Sequence, residues 1–250
     1  MPVCNKKIKL YIMRIIISLL FAGICFSSFG QDNMKMDVFP EMSRAAGVSF
    51  QKFDGLNNRI ANYPQYKQIR NATGVLQLGW FKERHQFISQ MNLMAGSSMS
   101  GDRDTRSSTI RYLGAGIDIG YDFIKSDKVA LFPLIGLGYQ GYQARFFRDN
   151  SAVDFNSVLQ SPTVQNNIHS LDLTNGFFNY RLGAGIAATS SKHHASIGIQ
   201  ALYTGGFQDR AWRSSQDQTL SNAPVDKLSQ VFIGLVITAS PFFMMKHGHM

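Results

Sequence analysis

The chain contains segments in which apolar residues alternate with polar or small ones at every second position. Within residues 111–123 the odd positions from 113 onwards are apolar or aromatic, whereas the even positions hold mainly glycine and aspartate. Residues 180–188 and 195–203 repeat this pattern, and residues 230–238 show it with two interruptions. A period of two is typical of a β-strand whose two faces lie in different environments.

Weaker alternation marks four further candidate strands, which brings their number to eight. These are Gly47–Phe53, Gly74–Phe81, Phe87–Ala95 and Val129–Phe147. Closed bacterial barrels contain an even number of strands. No stretch after Gln31 approaches the roughly 18 apolar residues of a membrane helix, so a membrane crossing would require a closed barrel. The sequence therefore predicts an all-β, eight-stranded antiparallel up-and-down transmembrane β-barrel over residues 43–244.

The connections between these candidate strands alternate in length. Tight polar turns are predicted at Lys82–His85, Lys125–Lys128 and Ser190–His193, and long polar loops at Asp54–Arg70, Ser97–Ser108, Arg148–Ser170 and Gln208–Lys227. Outer-membrane barrels have short periplasmic turns and long outer loops, so both termini are expected in the periplasm. The strands of a soluble sandwich or of a lipocalin-like barrel also alternate between apolar and polar residues. The outer face of such a fold would be rich in charged residues, and the outer face of these strands is not.

A signal peptide is predicted at residues 1–30. Four basic side chains precede a short apolar run, and small residues stand before a cleavage site at Gln31. The basic residues are Lys6, Lys7, Lys9 and Arg14, and the run is Ile15–Phe26. This run is shorter than the roughly 20 apolar residues of a spanning helix, which disfavours an uncleaved anchor. Met13 is an alternative start.

Both cysteines of the chain, Cys4 and Cys25, lie in this leader. The mature chain is therefore expected to have no disulfide and no cysteine metal site. Residues 31–42 are expected to form a periplasmic lead-in and residues 245–250 a C-terminal tail. Loss of the leader lowers Lys+Arg from 25 to 21 against 16 acids, which leaves a net charge of about +5. Without a basic cluster or motif, this charge does not predict nucleic-acid binding.

Glycine-interrupted strand sequences connect the chain to a known family. The segments YLGAGIDIGYDF, LFPLIGLGYQGY, FNYRLGAGIAA and IGLVITASPFF resemble strands of the Bacteroidetes-type outer-membrane β-barrel domains, which are OmpA/OmpX-like in size. The resemblance covers most of residues 44–243 and implies a fold and a location, but no activity. The chain departs from this family at its end, because such barrels often finish on an aromatic residue, whereas MMKHGHM follows Phe243.

Five charged residues are predicted to point into the barrel lumen. They are Arg111, Asp118, Asp122, Arg145 and Arg181. Ionised groups in this position must be paired or hydrated, and the lumen of an eight-stranded barrel is only wide enough for side chains. The sequence therefore predicts an interior salt-bridge network that holds the walls together, with a narrow gated pore as the alternative.

Enzyme activity is not predicted, although the chain has six histidines. A hydrolytic outer-membrane barrel needs a histidine beside serine or aspartate near the outer rim. Only His169, with Ser170 and Asp172, has that position, and these residues are weak catalytic candidates. The other histidines fall in predicted turns or in the tail, as His85, His193, His194, His247 and His249. No cofactor and no metal are expected, since two tail histidines do not make a metal site.

Seven arginines lie in or beside the predicted outer loops. They are Arg59, Arg70, Arg103, Arg106, Arg148, Arg210 and Arg213. Guanidinium groups match phosphate geometry, so these arginines are predicted to contact lipid headgroups; the alternative is that they only keep the loops soluble. The expected partners are outer-membrane lipid and lipopolysaccharide, the barrel insertion machinery during biogenesis and an unidentified surface ligand.

The function predicted from the sequence is that of an outer-membrane β-barrel of structural or surface-interaction type in a Gram-negative bacterium, exported through a cleaved signal peptide. Its specific activity is not deducible. A transport or secretion-accessory barrel is the second hypothesis, and a lipid-modifying hydrolase is the third.

Overall fold

The computed structural model describes residues 40–102, 105–124, 126, 128–190 and 195–239. In chain order the strands are β1 Glu41–Gln51, β2 Ala72–Arg84, β3 Phe87–Gly101, β4 Ser107–Tyr121, β5 Val129–Phe147, β6 Leu171–Ser190, β7 Ala195–Gly206, β8 Arg210–Ala211, β9 Arg213–Ser214, β10 Val225–Asp226 and β11 Ser229–Ala239. The helices are α1 Asp54–Ala61, α2 Phe155–Gln160 and α3 Pro162–Ile168.

Several sequence predictions lie outside the described residues. They concern the signal peptide with Cys4 and Cys25, most of the lead-in 31–42, Arg103, His193, His194, and the tail 245–250 with His247 and His249. The signal peptide and the domain boundaries therefore stay predictions.

The eight long strands, β1 to β7 and β11, form a closed antiparallel barrel in chain order. Each strand from β1 to β6 pairs with the next, and β7 pairs with β11. β11 closes the barrel on β1, from Met42↔Ala239 to Gln51↔Gln230. The predicted fold class is confirmed. Closure pairs both edges of the sheet, so its backbone hydrogen bonds are satisfied between strands even in an apolar layer.

The connections give the barrel a turn end and a loop end. At the turn end, β2 and β3 are joined by His85 and Gln86, whose φ angles of 50° and 67° are those of a type I′ hairpin turn. The loop end carries the connections 52–71, 148–170 and 207–228, which hold the helices and the short strands. This asymmetry matches the predicted alternation of short and long connections at three of the four loops.

The predicted long loop Ser97–Ser108 is wrong. β3 and β4 continue as a paired hairpin through this segment, from Ser97↔Arg111 to Gly101↔Ser107, and only residues 102–106 connect them. The segment is rich in serine on both faces, so it shows no alternation although the backbone pairing continues. Ser100, Ser107 and Ser108 are buried, and the Ser108 hydroxyl donates to the carbonyl of Gln68, so this strand end packs against the connection 52–71 through polar groups rather than through an apolar face.

The outward face of the barrel is apolar and exposed over the middle of the strands. On β4, Leu113 is 72% exposed, Ile117 58% and Ile119 45%. Large exposed apolar side chains on the other strands include Val48, Phe50, Leu76, Leu78, Trp80, Met91, Leu93, Leu131, Ile135, Leu137, Tyr139, Phe178, Leu182, Ile186, Ile197, Ile199, Tyr203, Val231, Ile233, Leu235 and Ile237. We call this ring the apolar belt. From Leu113 to Tyr121 it extends about 27 Å along the strand, or about 20 Å across a layer at the usual strand tilt.

The interior is filled by side chains in three layers. An apolar layer at the turn end contains Ile88, Phe132 and Leu134. The middle layer is polar, and the loop-end layer is a larger apolar cluster that includes Phe53 and Trp212. The sides of the barrel thus have the reverse polarity of a soluble barrel, with charged and amide groups inside and aliphatic groups outside.

Candidate functional site

A buried ion pair crosses the middle of the lumen. Arg181 of β6 and Asp118 of β4 are 2% and 0% exposed, and Nε of the arginine lies 2.9 Å from Oδ1 of the aspartate. Asn92 of β3 completes a triangle, since its Oδ1 accepts a hydrogen bond from Arg181 Nη1 and its Nδ2 donates to Asp118 Oδ2, both at 2.8 Å. The pair links β4 to β6 across the intervening strand β5, which stiffens this part of the wall.

Glycines make room for this ion pair. A Cβ atom on Gly116 would collide with the Arg181 guanidinium, and one on Gly136 would collide with the Asp118 carboxylate. Both glycines occupy inward positions beside the pair. The glycine-interrupted strand pattern therefore has a packing cause at these two positions, where larger side chains would displace the buried charges.

The polar layer around the ion pair holds groups without protein partners. The amide of Gln77 is 1% exposed, and neither its oxygen nor its nitrogen has a hydrogen-bond partner among the described residues. The buried hydroxyl of Ser43 has none within that part of the chain either. Buried polar groups of this kind generally bind ordered water. The middle of the lumen is therefore suited to enclosed water rather than to an apolar ligand.

The five residues predicted to line the lumen divide into three groups. Asp118 and Arg181 face each other inside the barrel, as described above. Asp122 is buried at the turn end, where its Oδ1 accepts hydrogen bonds from the backbone N–H groups of Ile124 and Leu131 at 3.0 and 2.9 Å. It orders the β4–β5 turn and takes no part in the ion pair.

Arg111 and Arg145 lie on the outer face, which corrects the lumen prediction for both. Arg111 shares the parity of Leu113 and is exposed. Arg145 binds Asp172 of β6, with Nη2 and Nε at 2.7 and 3.0 Å from Oδ2. Both arginines belong to strand ends beyond the apolar belt, where Arg111 is exposed and the half-buried Arg145 is neutralised by Asp172.

Aromatic side chains close the lumen at the loop end. Phe53, which follows β1, contacts Tyr142 of β5 and Trp212 with ring centroids 5.0 and 5.6 Å apart, edge to face. Trp212 is fully buried, and Leu56 and Ile60 of α1 pack into the same cluster. The connections 52–71 and 207–228 thus plug the barrel mouth, so the lumen is filled rather than open at this end.

Asp226 ties these two connections together. Its Oδ1 accepts a hydrogen bond from the N–H of Gly55 at 2.7 Å, and its Oδ2 accepts from the N–H of Leu56 at 3.0 Å and from the indole of Trp212 at 2.7 Å. The carboxylate therefore supplies the N-terminal cap of α1 from a distant part of the chain. Burial raises the pKa of Asp226 despite these hydrogen bonds.

This plug is not predicted by the sequence pattern, although part of its signal is present. Leu56 and Ile60 stand four residues apart, the spacing of one helix face, inside a segment that was predicted only as a loop. No local pattern links Asp226 to Gly55, since they are 171 positions apart.

The three catalytic candidates do not form a catalytic arrangement. The Ser170 hydroxyl donates to Asp172 at 2.7 Å, and the same carboxylate is held by Arg145. His169 directly follows α3 and makes no hydrogen bond to either residue within the described chain. A general base must lie within hydrogen-bond reach of the hydroxyl that it activates. The carboxylate here orients an arginine instead.

Most of the predicted lipid-contacting arginines bind other groups of the protein itself. Arg59 and Arg210 donate to the carbonyl oxygens of Asn222 and Gly176, at 3.3 and 2.9 Å. Arg106 donates to the carbonyl of Pro64, and Arg213 pairs with Asp217 at 3.0 Å. Arg148 lies 5.9 Å above the ring of Tyr66, and Arg70 is exposed. These contacts cross-link the loop end.

Neither a metal cluster nor a membrane helix is found in the described part of the chain. No group of three His, Cys, Asp or Glu side chains there could hold a metal ion. None of its helices is long and apolar enough to cross a membrane.

Comparison with known proteins identifies similar folds only. No family model and no curated protein matches the chain. Among solved structures, Ail, the attachment invasion locus protein of Yersinia pestis, is 14% identical with a TM-score of 0.43, over 80% of this chain and 97% of that one. Neisserial surface protein A is 7% identical with a TM-score of 0.47, over 81% and 96%. A major outer membrane protein from Thermus thermophilus is 12% identical with a TM-score of 0.44, over 80% and 98%.

These similarities are too low to transfer a ligand or an activity. The closed barrel, its apolar belt and its unequal ends are themselves the features of a transmembrane β-barrel of outer-membrane type.

Proposed function

We propose that this protein resides in the outer membrane of a Gram-negative bacterium as a plugged β-barrel of structural or surface-interaction type. Its turn end faces the periplasm and its loop end faces the outside. Export through a cleaved signal peptide is part of the proposal and rests on the basic and apolar pattern of residues 1–30. Assignment to the Bacteroidetes-type barrels rests on the resemblance of the strand segments.

The single observation that carries the proposal is the polarity of the barrel wall. Leu113, Ile117 and Ile135 are each more than half exposed on the outside, while Arg181 and Asp118 are buried inside. Soluble proteins rarely expose apolar patches larger than a few hundred Å². A belt that encircles the whole barrel needs an apolar surrounding, and the hydrocarbon of a bilayer supplies one.

The plug and the cross-linked loops support a surface role over transport. The loop-end cluster around Phe53 and Trp212 leaves no wide passage through the barrel mouth, and Asp226 holds it together. Loops tied to each other by Arg59, Arg106 and Asp226 form a defined outer surface. Such a surface can contact lipid headgroups, lipopolysaccharide or another molecule outside the cell.

Thiol labelling tests both the location and the orientation. Ser215, in the connection 207–228, and Arg84, at the turn end, are both exposed and are replaced in the variants Ser215→Cys and Arg84→Cys. The two native cysteines lie in the predicted leader, so each mature variant would carry one thiol. A membrane-impermeant maleimide should label the Ser215→Cys variant on intact cells, and the Arg84→Cys variant only after the outer membrane is permeabilised. Recovery of folded protein in buffer without detergent would overturn the proposal.

A further inference from the structure

A cleft of about 550 Å³ opens on the outer face of the barrel at the loop end. It lies between the ends of β3, β4 and β5 and the start of the connection 148–170. Three arginines line it, together with hydroxyl groups and an apolar ring: Arg111, Arg145, Arg148, Ser107, Thr109 and Phe147. Guanidinium and hydroxyl groups are hydrogen-bond donors, so this lining suits an anionic ligand that is rich in acceptors.

The cleft stands immediately beyond the apolar belt. Arg111 is two residues from Leu113 on the same outward face of β4, a separation of about 7 Å along the strand. Thr109, two residues further, is paired with Arg145 across the β4–β5 ladder. If hydrocarbon surrounds the belt, these guanidinium groups lie at the depth of the lipid headgroups.

Charge in the cleft is only partly neutralised by the protein. Arg145 is held by Asp172, whose carboxylate uses two of the five N–H donors of that guanidinium. Arg111 and Arg148 have no carboxylate partner among the described residues, and Arg148 lies over the ring of Tyr66. The guanidinium groups of Arg111 and Arg148 thus keep their positive charge in the cleft. They lie beside Arg145, whose guanidinium is oriented by Asp172.

We propose that this cleft binds a phosphate group, with Arg111 and Arg148 as its main contacts and Arg145 as an oriented third donor. Phosphate accepts several hydrogen bonds at once and matches the planar guanidinium fork. The assignment rests on the proposed membrane location, in which a phosphorylated lipid of the outer leaflet would place its headgroup here and its chains against the belt. A soluble phosphate has the same recognition chemistry and is distinguished by experiment.

The test uses the full chain reconstituted into phosphatidylcholine nanodiscs. One arm contains a small fraction of lipid A, a phosphorylated glycolipid, and native mass spectrometry measures the lipid retained on each barrel. A second arm titrates inorganic phosphate in discs without lipid A. The double variant Arg111→Gln/Arg148→Gln is compared with Arg84→Gln/Lys128→Gln, which removes the same charge from the turn end.

Lipid retention should fall roughly tenfold in the cleft variant, since two exposed charge-assisted contacts are each worth a few-fold in affinity, and should stay unchanged in the turn-end variant. A loss confined to the lipid arm assigns the site to a lipid phosphate, and an equal loss in both arms assigns it to phosphate in general. Retention in the cleft variant within twofold of the parent would overturn the proposal, as would an equal loss in the turn-end variant. Heat-modifiable gel migration of each sample separates these outcomes from a failure of the barrel to insert.

Discussion

Replacing Ile117 by lysine tests the belt at its centre. Ile117 is 58% exposed and pairs with the outward residues Met91 and Leu137. It stands four residues from both Leu113 and Tyr121, about 13 Å along the strand and about 10 Å across a tilted layer in each direction. A lysine side chain extends roughly 6 Å, so its ammonium group cannot reach the headgroups by snorkelling.

The free energy of unfolding should therefore fall by about 2–4 kcal/mol in Ile117→Lys, the cost of lysine near the midplane of a barrel in a bilayer. Leu159→Lys is the matched control, because Leu159 is an equally apolar side chain, 65% exposed on α2 and outside the belt. Its effect should stay below about 0.5 kcal/mol. Urea unfolding in lipid vesicles, followed by tryptophan fluorescence, measures the free energy of unfolding of both variants. Equal effects of the two variants would refute the assignment of the belt to hydrocarbon.

Three further predictions concern the lumen and the plug. Asp118→Leu should cost about 3–5 kcal/mol because it leaves Arg181 buried without a counter-charge, and adding Arg181→Met should recover most of that loss in the same unfolding assay; no recovery would contradict the ion pair. Gly116→Ala should cost about 1–3 kcal/mol through its collision with Arg181, whereas Gly74→Ala, whose Cβ meets only one atom at 3.9 Å, should be near neutral; similar unfolding midpoints would contradict the packing. The raised pKa of Asp226 means that the folded plug takes up a proton at a higher pH than the unfolded chain, so the plug gains stability as the pH falls through the folded pKa and levels off below the unfolded value of 3.8. Hydrogen exchange of the α1 amides that this carboxylate binds should slow, after correction for intrinsic rates, as the pH is lowered towards 3.8, and Asp226→Asn should remove this dependence; an unchanged dependence in that variant would contradict the assignment.

The barrel could be predicted from the sequence because its outer and inner faces differ in polarity at every second residue. For example, Ile117 points outward into the apolar belt, and the next residue, Asp118, points into the lumen. This signal ends where the strands leave the apolar layer. Ser97–Gly101 pair as regularly as the residues of the belt, but nothing in their polarity shows it, so the β3–β4 hairpin was predicted as a loop.

The functional features of the loop end could not be predicted in the same way. Arg111 has the parity of Leu113, so the alternation along β4 places it on the outer face of the barrel. The expectation that charged side chains point into the lumen holds only within the apolar belt. The contacts of Asp226 with Trp212 and with Gly55 join segments that are far apart in the chain and polar in composition. Their proximity follows from barrel closure, which brings the connections 52–71 and 207–228 together over one mouth.

The two tryptophans of the chain provide the most direct test of the central claim. Trp80 lies on the outward face of β2 and is 46% exposed, whereas Trp212 is fully buried inside the loop end. In vesicles of lipids brominated along the acyl chains, emission from Trp80, read in a Trp212→Phe variant, should be strongly quenched. Emission from Trp212, read in a Trp80→Phe variant, should not change. If Trp80 were instead quenched by aqueous iodide and unaffected by brominated lipid, its face of the barrel would lie in water and the account would be wrong.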